Sequence, residues 1–150
     1  MTGRIIQTER IPLDAGAFDW MVGRVVRSVE FSEPRHWVIA LSGRGLVVTD
    51  SLWRVLDGTR LITTSEDHGQ LFGLPERVDA GHAAVVALSS LKILEVELTP
   101  AQSDLTIRFE NQVALQFLST SSGYESWQVE DPEGVCIVVD GAGNASTWRT

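Results

Sequence analysis

The chain has 150 residues, 43% hydrophobic and 21% charged, with 12 basic and 20 acidic side chains for a net charge of −8. Those proportions describe one globular domain and exclude a disordered chain, a coiled coil and a fibrous repeat. The negative balance argues against nucleic acid as a partner, because phosphate recognition needs basic side chains that release counterions.

The first ten residues, Met1 to Arg10, contain no apolar stretch of signal-peptide length. Apolar runs such as His82–Leu91 fall short of the ~20 residues that a membrane span requires. The expectation is a cytoplasmic protein without a membrane partner. Asp14 can cap a helix running to about Val22, with Phe18, Met21 and Val22 on its buried face and Gly23 ending it. Strand-like segments follow, among them Trp37–Leu41, Leu52–Leu56 and Arg60–Thr64. Ser42-Gly43-Arg44-Gly45 and Asp57-Gly58 supply hairpin turns between them. Gly73-Leu74-Pro75-Glu76 reads as a linker.

Asp79 then caps a second helix, with Ala83, Val86 and Ser90 on one side and Ala84, Leu88 and Leu91 nearby. Beyond it the period returns to two. In Glu95-Val96-Glu97-Leu98 the glutamates face solvent, and Leu105, Ile107 and Phe109 alternate with Thr106 and Arg108. Asp131-Pro132-Glu133-Gly134 closes a hairpin before Val135–Val139, an apolar run with the look of a buried central strand. Asp140-Gly141-Ala142-Gly143-Asn144 reads as a turn, since it lacks the lysine and following helix of a phosphate loop.

The two halves echo one another. Asp14-Ala15-Gly16 recurs as Asp79-Ala80-Gly81, Ser28–Ser32 aligns with Glu95–Thr99, and Trp37–Leu41 with Leu105–Phe109. Trp53 matches Trp127, and Gly58 matches Gly134. The offsets only grow, from 65 to 76 residues, as insertions in loops of a second copy would produce. The predicted fold is therefore α+β, mostly antiparallel strand, as one domain over 1–150. It contains an internal duplication of a helix-plus-strands unit, 11–72 and 76–148, related by pseudo-twofold symmetry.

Ser121-Ser122-Gly123-Tyr124-Glu125-Ser126-Trp127-Gln128, with Gly134 and Asp140-Gly141-Ala142-Gly143 after it, resembles the C-terminal signature of an uncharacterised bacterial domain family. The similarity covers the last third of the chain best, and Asp140 and Ala142 depart from a purely glycine-rich ending. The resemblance carries no catalytic residues across. It implies a setting among variable bacterial genes, including those of toxins and their immunity proteins.

Candidate chemistry is sparse. His36, His68 and His82 have no partner at metal-ligand spacing, so no metal site or cofactor is predicted and all three read as solvated loop histidines. A histidine bonded to a carboxylate in a deep pocket would reopen that reading. No nucleophile elbow occurs, and Ser119–Gly123 reads as a flexible loop. Cys136, the only cysteine, cannot form an internal disulfide and sits in an apolar run as a structural thiol. Trp53 and Trp127 read as core anchors, whereas Trp148 is the tryptophan expected at the surface.

Charge discriminates best. Residues 1–78 carry nine basic and ten acidic side chains, and residues 79–150 carry three and ten. The expectation is a non-enzymatic protein-binding module, an immunity-type inhibitor, with an acidic surface for a basic protein partner. The Ser119–Glu125 loop and the Glu130–Glu133 turn, adjacent in that reading, are the candidate contacts through Tyr124, Glu125, Glu130, Asp131 and Glu133. The alternatives are a β-rich protein that binds a small ligand, or an enzyme whose site assembles from distant residues.

Overall fold

A computed structural model describes residues 9–12, 14–141 and 143–149. The architecture is mostly antiparallel β, in two sheets, with little helix. The seven-stranded sheet begins with β1 (Glu9–Pro12) and includes β2 (Val26–Ser32), β3 (His36–Leu41) and β4 (Leu46–Thr49). The chain then leaves it to form β5 (Leu52–Asp57) and β6 (Arg60–Thr64). After a helix, α1 (Ala80–Leu88), come β7 (Ile93–Thr99), β8 (Asp104–Phe109) and β9 (Val113–Leu118). It returns as β10 (Glu125–Glu130), β11 (Val135–Asp140) and β12 (Asn144–Arg149). The sheet orders are β1-β12-β11-β10-β4-β3-β2 and β6-β5-β9-β8-β7.

Two crossings thus exchange strands. β4 pairs with β10, from late in the chain, and β5 pairs with β9. The first crossing is tied by buried hydroxyls. Thr49 Oγ1 and Ser51 Oγ lie 2.8 Å apart, and both donate to the Ser126 carbonyl, at 2.8 and 2.9 Å. One hydrophobic core joins the inner faces of both sheets, and its largest members include Trp53, Trp127, Phe18 and Phe117, all at most 2% exposed. Edge-on ring contacts at 4.9 Å (Trp37–Trp53) and 5.6 Å (Phe18–Trp127) fix these aromatics.

The local readings hold where short-range rules decide. Asp57-Gly58 turns β5 into β6 with Gly58 at φ +61°, and Gly134 at φ +86° completes the β10–β11 turn. β11 lies between β10 and β12 with four buried residues in a row, as its apolar run predicts. Asp14 and Asp79 both accept first-turn backbone N–H groups, from Gly16 and His82. The first helix, Ala15–Met21, is a 3₁₀ helix. Three residues per turn stack Phe18 on Met21, both fully buried, and rotate the next residue outward. Val22 is consequently 49% exposed, not buried as the α-helical spacing predicted. β11 ends at Asp140 and β12 begins at Asn144, pairing with both β11 and β1.

His68 also departs from its reading. Its ring packs 4.7 Å from Phe31 and 4.9 Å from Trp37, and Nδ1 accepts from the Ala80 N–H at the start of α1, at 3.1 Å. It is a structural histidine in its Nε2–H tautomer, seating α1, not a solvated one.

Candidate functional site

The two sheets treat their outer faces differently. On the five-stranded sheet several outward side chains satisfy one another, while Leu61, Ile62 and Leu94 on its strands β6 and β7 are exposed. Arg54 Nε donates to Gln116 Oε1 at 2.8 Å, and Gln116 Nε2 donates to Thr106 Oγ1 at 3.2 Å. Arg108 clasps Glu97 with two hydrogen bonds of 2.7 and 3.0 Å, which holds the glutamate below the usual carboxylate range. Glu95 and Glu97 share this strand, and the second has met its cation.

On the seven-stranded sheet the outward positions alternate with Trp37, Ile39, Leu41 and Val47, which point into the core. Val38, Val48, Gln128 and Val138 stand side by side across β3, β4, β10 and β11. Ala40, Leu46, Glu130 and Cys136 form the next row, continued by Trp148 on β12. No helix of the described residues lies over this face, since α1 packs against β2 and β6 and the 3₁₀ helix against β7. Its centre is a strip in which Val38, Leu46 and Val48 are half-buried, Val138 and Cys136 are buried and Gln128 interrupts the valines.

Carboxylates stand at both ends of that strip. Glu125, exposed at the start of β10, lies directly opposite Asp140 on β11. Glu130 closes the other end, half-buried, with its side chain hydrogen-bonded to Cys136. Burial, Glu130 and Asp131 push the Cys136 thiol up to about 11, so it is a thiol and a packing group, as its apolar setting predicts.

The predicted contact residues therefore share one face but not one patch. A six-residue strand separates the Ser119–Glu125 loop from the Glu130–Glu133 turn by ~17 Å, so the two flank the strip and are not adjacent. Tyr124 is 81% exposed beside Glu125, and Glu133 is exposed at the far turn. Asp131 has structural work: its Oδ1 accepts the Glu133 and Val135 N–H groups, each at 2.9 Å, and forms the turn.

Sequence reading missed one constellation. His36 Nδ1 and Asp50 Oδ1 are 3.0 Å apart at the edge of a cleft of about 100 Å³ that also reaches Glu125, Ser126 and Gln128. The hairpin register Trp37↔Thr49 makes His36 and Asp50 neighbours, a signal available from counting out from the Ser42–Gly45 turn. The pair is shallow, with side chains 46% and 69% exposed. It is also in the wrong order for activating a serine: the Asp50 strand lies between those of His36 and Ser126, whereas a relay needs histidine in the middle. Among the described residues no group of three or more His, Cys, Asp or Glu could hold a metal. Among the described residues no helix is long and apolar enough to cross a membrane.

Protein-family models, curated proteins and solved structures yield no match to the chain.

Proposed function

We propose that this protein is a non-enzymatic binding module that docks a basic protein partner, as an immunity-type inhibitor does, on the outer face of its seven-stranded sheet. One observation carries the reading: on the outer face of this sheet half-buried Val38 and Val48 and, beyond Gln128, buried Val138 form a row with carboxylates at both ends. Apolar centre and charged rim are the anatomy of a protein interface, and the acidic rim selects and accelerates a basic partner. The ten acidic and three basic residues of 79–150 add a field of the same sign. The resemblance at Gly123–Trp127 points the same way. We infer that the encounter is cytoplasmic.

We infer also that the chain is one domain made of two copies, near 11–72 and 76–148, related by a pseudo-twofold axis. Strand register supports this. Val29↔Ile39, Ile39↔Val47 and Val47↔Val129 correspond to Val96↔Ile107, Ile107↔Leu115 and Leu115↔Val55. Thr49↔Trp127 corresponds to Phe117↔Trp53, which aligns the two tryptophans at the offset read from sequence. β2 and β7 even carry register shifts at matching places, Val26/Ser28 and Ile93/Glu95. Under this correspondence the row Val38-Val48-Gln128-Val138 stands where the other sheet has Thr106-Gln116-Arg54-Thr64.

The test is capture from the native host at low salt, comparing the wild type with Val48→Lys and with Glu125→Lys/Glu133→Lys. The expected result is a basic protein retained by the wild type and lost from both variants. Equal retention by all three would refute the docking face.

A further inference from the structure

We propose that this protein pairs with a second copy of itself along α1, each copy inserting Phe72 into an apolar groove of the other across a twofold axis. This goes beyond the docking reading and does not depend on it, since α1 packs against β2 and β6 and leaves the docking face free.

The composition of α1 is the first observation. Its nine residues, Ala80–Leu88, include no Asp, Glu, Lys or Arg. Ala80, Gly81, Ala84 and Leu88 are buried, and the opposite side of a surface helix ordinarily carries charge. Here that side presents Val86, 64% exposed. Beside it runs a groove of about 440 Å³, lined by Ala83, Val86 and Ala87 of α1, exposed Ile62 of the edge strand β6, and Asp57 and Val113. Asp57 is the one charged residue among these, too little polarity to orient a small polar ligand.

The knob that fits this groove is on the same chain. Residues 69–78, just before α1, form a finger closed at its base. The Gly69 N–H donates to the Val78 carbonyl at 2.8 Å, and the Val78 N–H to the Gln70 carbonyl at 2.9 Å. Arg77 Nη1 adds a bond of 3.1 Å to the Gly69 carbonyl. At the tip the Leu74 N–H donates to the Leu71 carbonyl at 2.9 Å, and Gly73 takes φ +73°. Phe72 stands on that turn 99% exposed, with Leu71 and Leu74 exposed beside it. These hydrogen bonds hold the ring away from the rest of the protein, so the cost of ordering an aromatic anchor is met before binding.

A second copy is the occupant because knob and groove lie toward opposite ends of one short helix. The finger precedes the N-terminus of α1, and Val86 and Ala87 lie near its C-terminus, on a helix about 13 Å long. Antiparallel approach of two such helices across a twofold axis sets each finger over the other copy's groove, and the pair closes with both contacts made. Charge permits the approach on a protein of net charge −8: α1 has none, the finger carries Glu76 and Arg77, and Asp57 and Arg60 stand at the groove. Each inserted Phe72 buries about 200 Å². Two of them, with Leu71, Leu74, Ile62 and Val86 of both copies, approach the ~1,200 Å² at which specific interfaces begin. The pair is consequently weak, with a dissociation constant on the order of 10 µM.

The experiment is sedimentation velocity of the full chain over about 1–500 µM, where the wild type should pass from monomer to dimer. Phe72→Ser and Val86→Lys should each weaken pairing at least about thirtyfold. Both side chains are exposed, so the thermal midpoint of dilute protein should not change. Neither variant should pair with itself, yet a mixture should pair, because the intact Phe72 of one meets the intact groove of the other. In isotope-labelled Phe72→Ser the NMR signals of Ile62, Ala83 and Ala87 should shift on adding unlabelled Val86→Lys, and not on adding unlabelled Phe72→Ser. A monomer at every concentration would overturn the proposal. So would species larger than a dimer, a dimer indifferent to Phe72, or a mixture without the shifts, which would mean finger-to-finger or helix-to-helix contact. A monomer that needs Phe72 to bind phosphatidylcholine vesicles gives the finger to a membrane. A monomer that retains a host protein through Phe72 and Val86 gives the patch to a foreign partner. Either result overturns the pairing.

Discussion

The two Asp-Ala-Gly motifs invite the same substitution and should answer it oppositely. Replacing Gly81 by alanine gains helix propensity, about 1 kcal/mol, because α1 begins at Ala80. Against that, a Cβ at Gly81 would lie 2.6 Å from the Val29 carbonyl oxygen and 3.2 Å from the Trp37 ring. The first obstacle is backbone of β2, so α1 itself must retreat and loosen Ala84 and Leu88, both fully buried. Overpacking of this kind costs about 3 kcal/mol, at the upper end because no flexible side chain can yield. The net expectation for Gly81→Ala is a loss of about 2 kcal/mol, a fall of roughly 4–8 °C in Tm for a chain of this size. At Gly16 the nearest atom to a new Cβ is the Asp14 carboxylate at 3.5 Å, an ordinary contact. Gly16→Ala should therefore be neutral, or stabilising by up to about 1 kcal/mol through the unfolded chain. Urea unfolding of both variants beside the wild type measures the contrast. Equal effects, or a Gly81→Ala protein as stable as the wild type, would refute the close seating of α1 on β2.

The equivalent tryptophans should also differ: Trp127 Nε1 donates to the Ser103 carbonyl at 2.7 Å while Trp53 Nε1 has no partner, so Trp127→Phe should cost about 1 kcal/mol more than Trp53→Phe in urea unfolding. Cys136 makes stability fall in alkali. The unfolded thiol ionises near 9 and the folded one near 11, so its contribution is full below about pH 9 and lost as pH rises, by about 2–3 kcal/mol at most. Unfolding midpoints at pH 8 and 10.5 should converge in Cys136→Ala. Glu97, held low by the Arg108 hydrogen bond, contributes stability above its unfolded pKa and loses it as pH falls through the folded one. The pair is half-exposed, so Arg108→Ala should cost at most about 1 kcal/mol at neutral pH and less at high salt. Asp131→Ala should destabilise by about 1 kcal/mol through its turn, which makes Glu125→Lys/Glu133→Lys the cleaner pair for slowing partner association in stopped flow.

Much of the strand layout was legible in the sequence because alternation and turn residues act locally. Leu105, Ile107 and Phe109 declare an inward face at period two, and Asp57-Gly58 or Asp131–Gly134 needs no distant neighbour to turn the chain. The carboxylates Glu125, Glu130 and Glu133 were visible as charge but not as geometry. Period two says which side of a strand is buried and not which strand lies beside it, so the exchange of β4 with β10 and of β5 with β9 had no local signature. That exchange decides the rest: it sets β10 beside β4, so that Val48, Gln128 and Val138 share one row, and brings Asp50 beside Ser126. Helix type escaped too, since Phe18 and Met21 fit both three and 3.6 residues per turn and only Val22 distinguishes them. The weakly patterned Asn144–Arg149 became a strand because β1 and β11 supply backbone partners on both sides, and those partners lie far away in sequence. The sequence by itself determined where strands run and which way their side chains point, through short-range sterics and burial; only the tertiary structure decided which strands meet, and with them the candidate site, because pairing is chosen by long-range packing of the core.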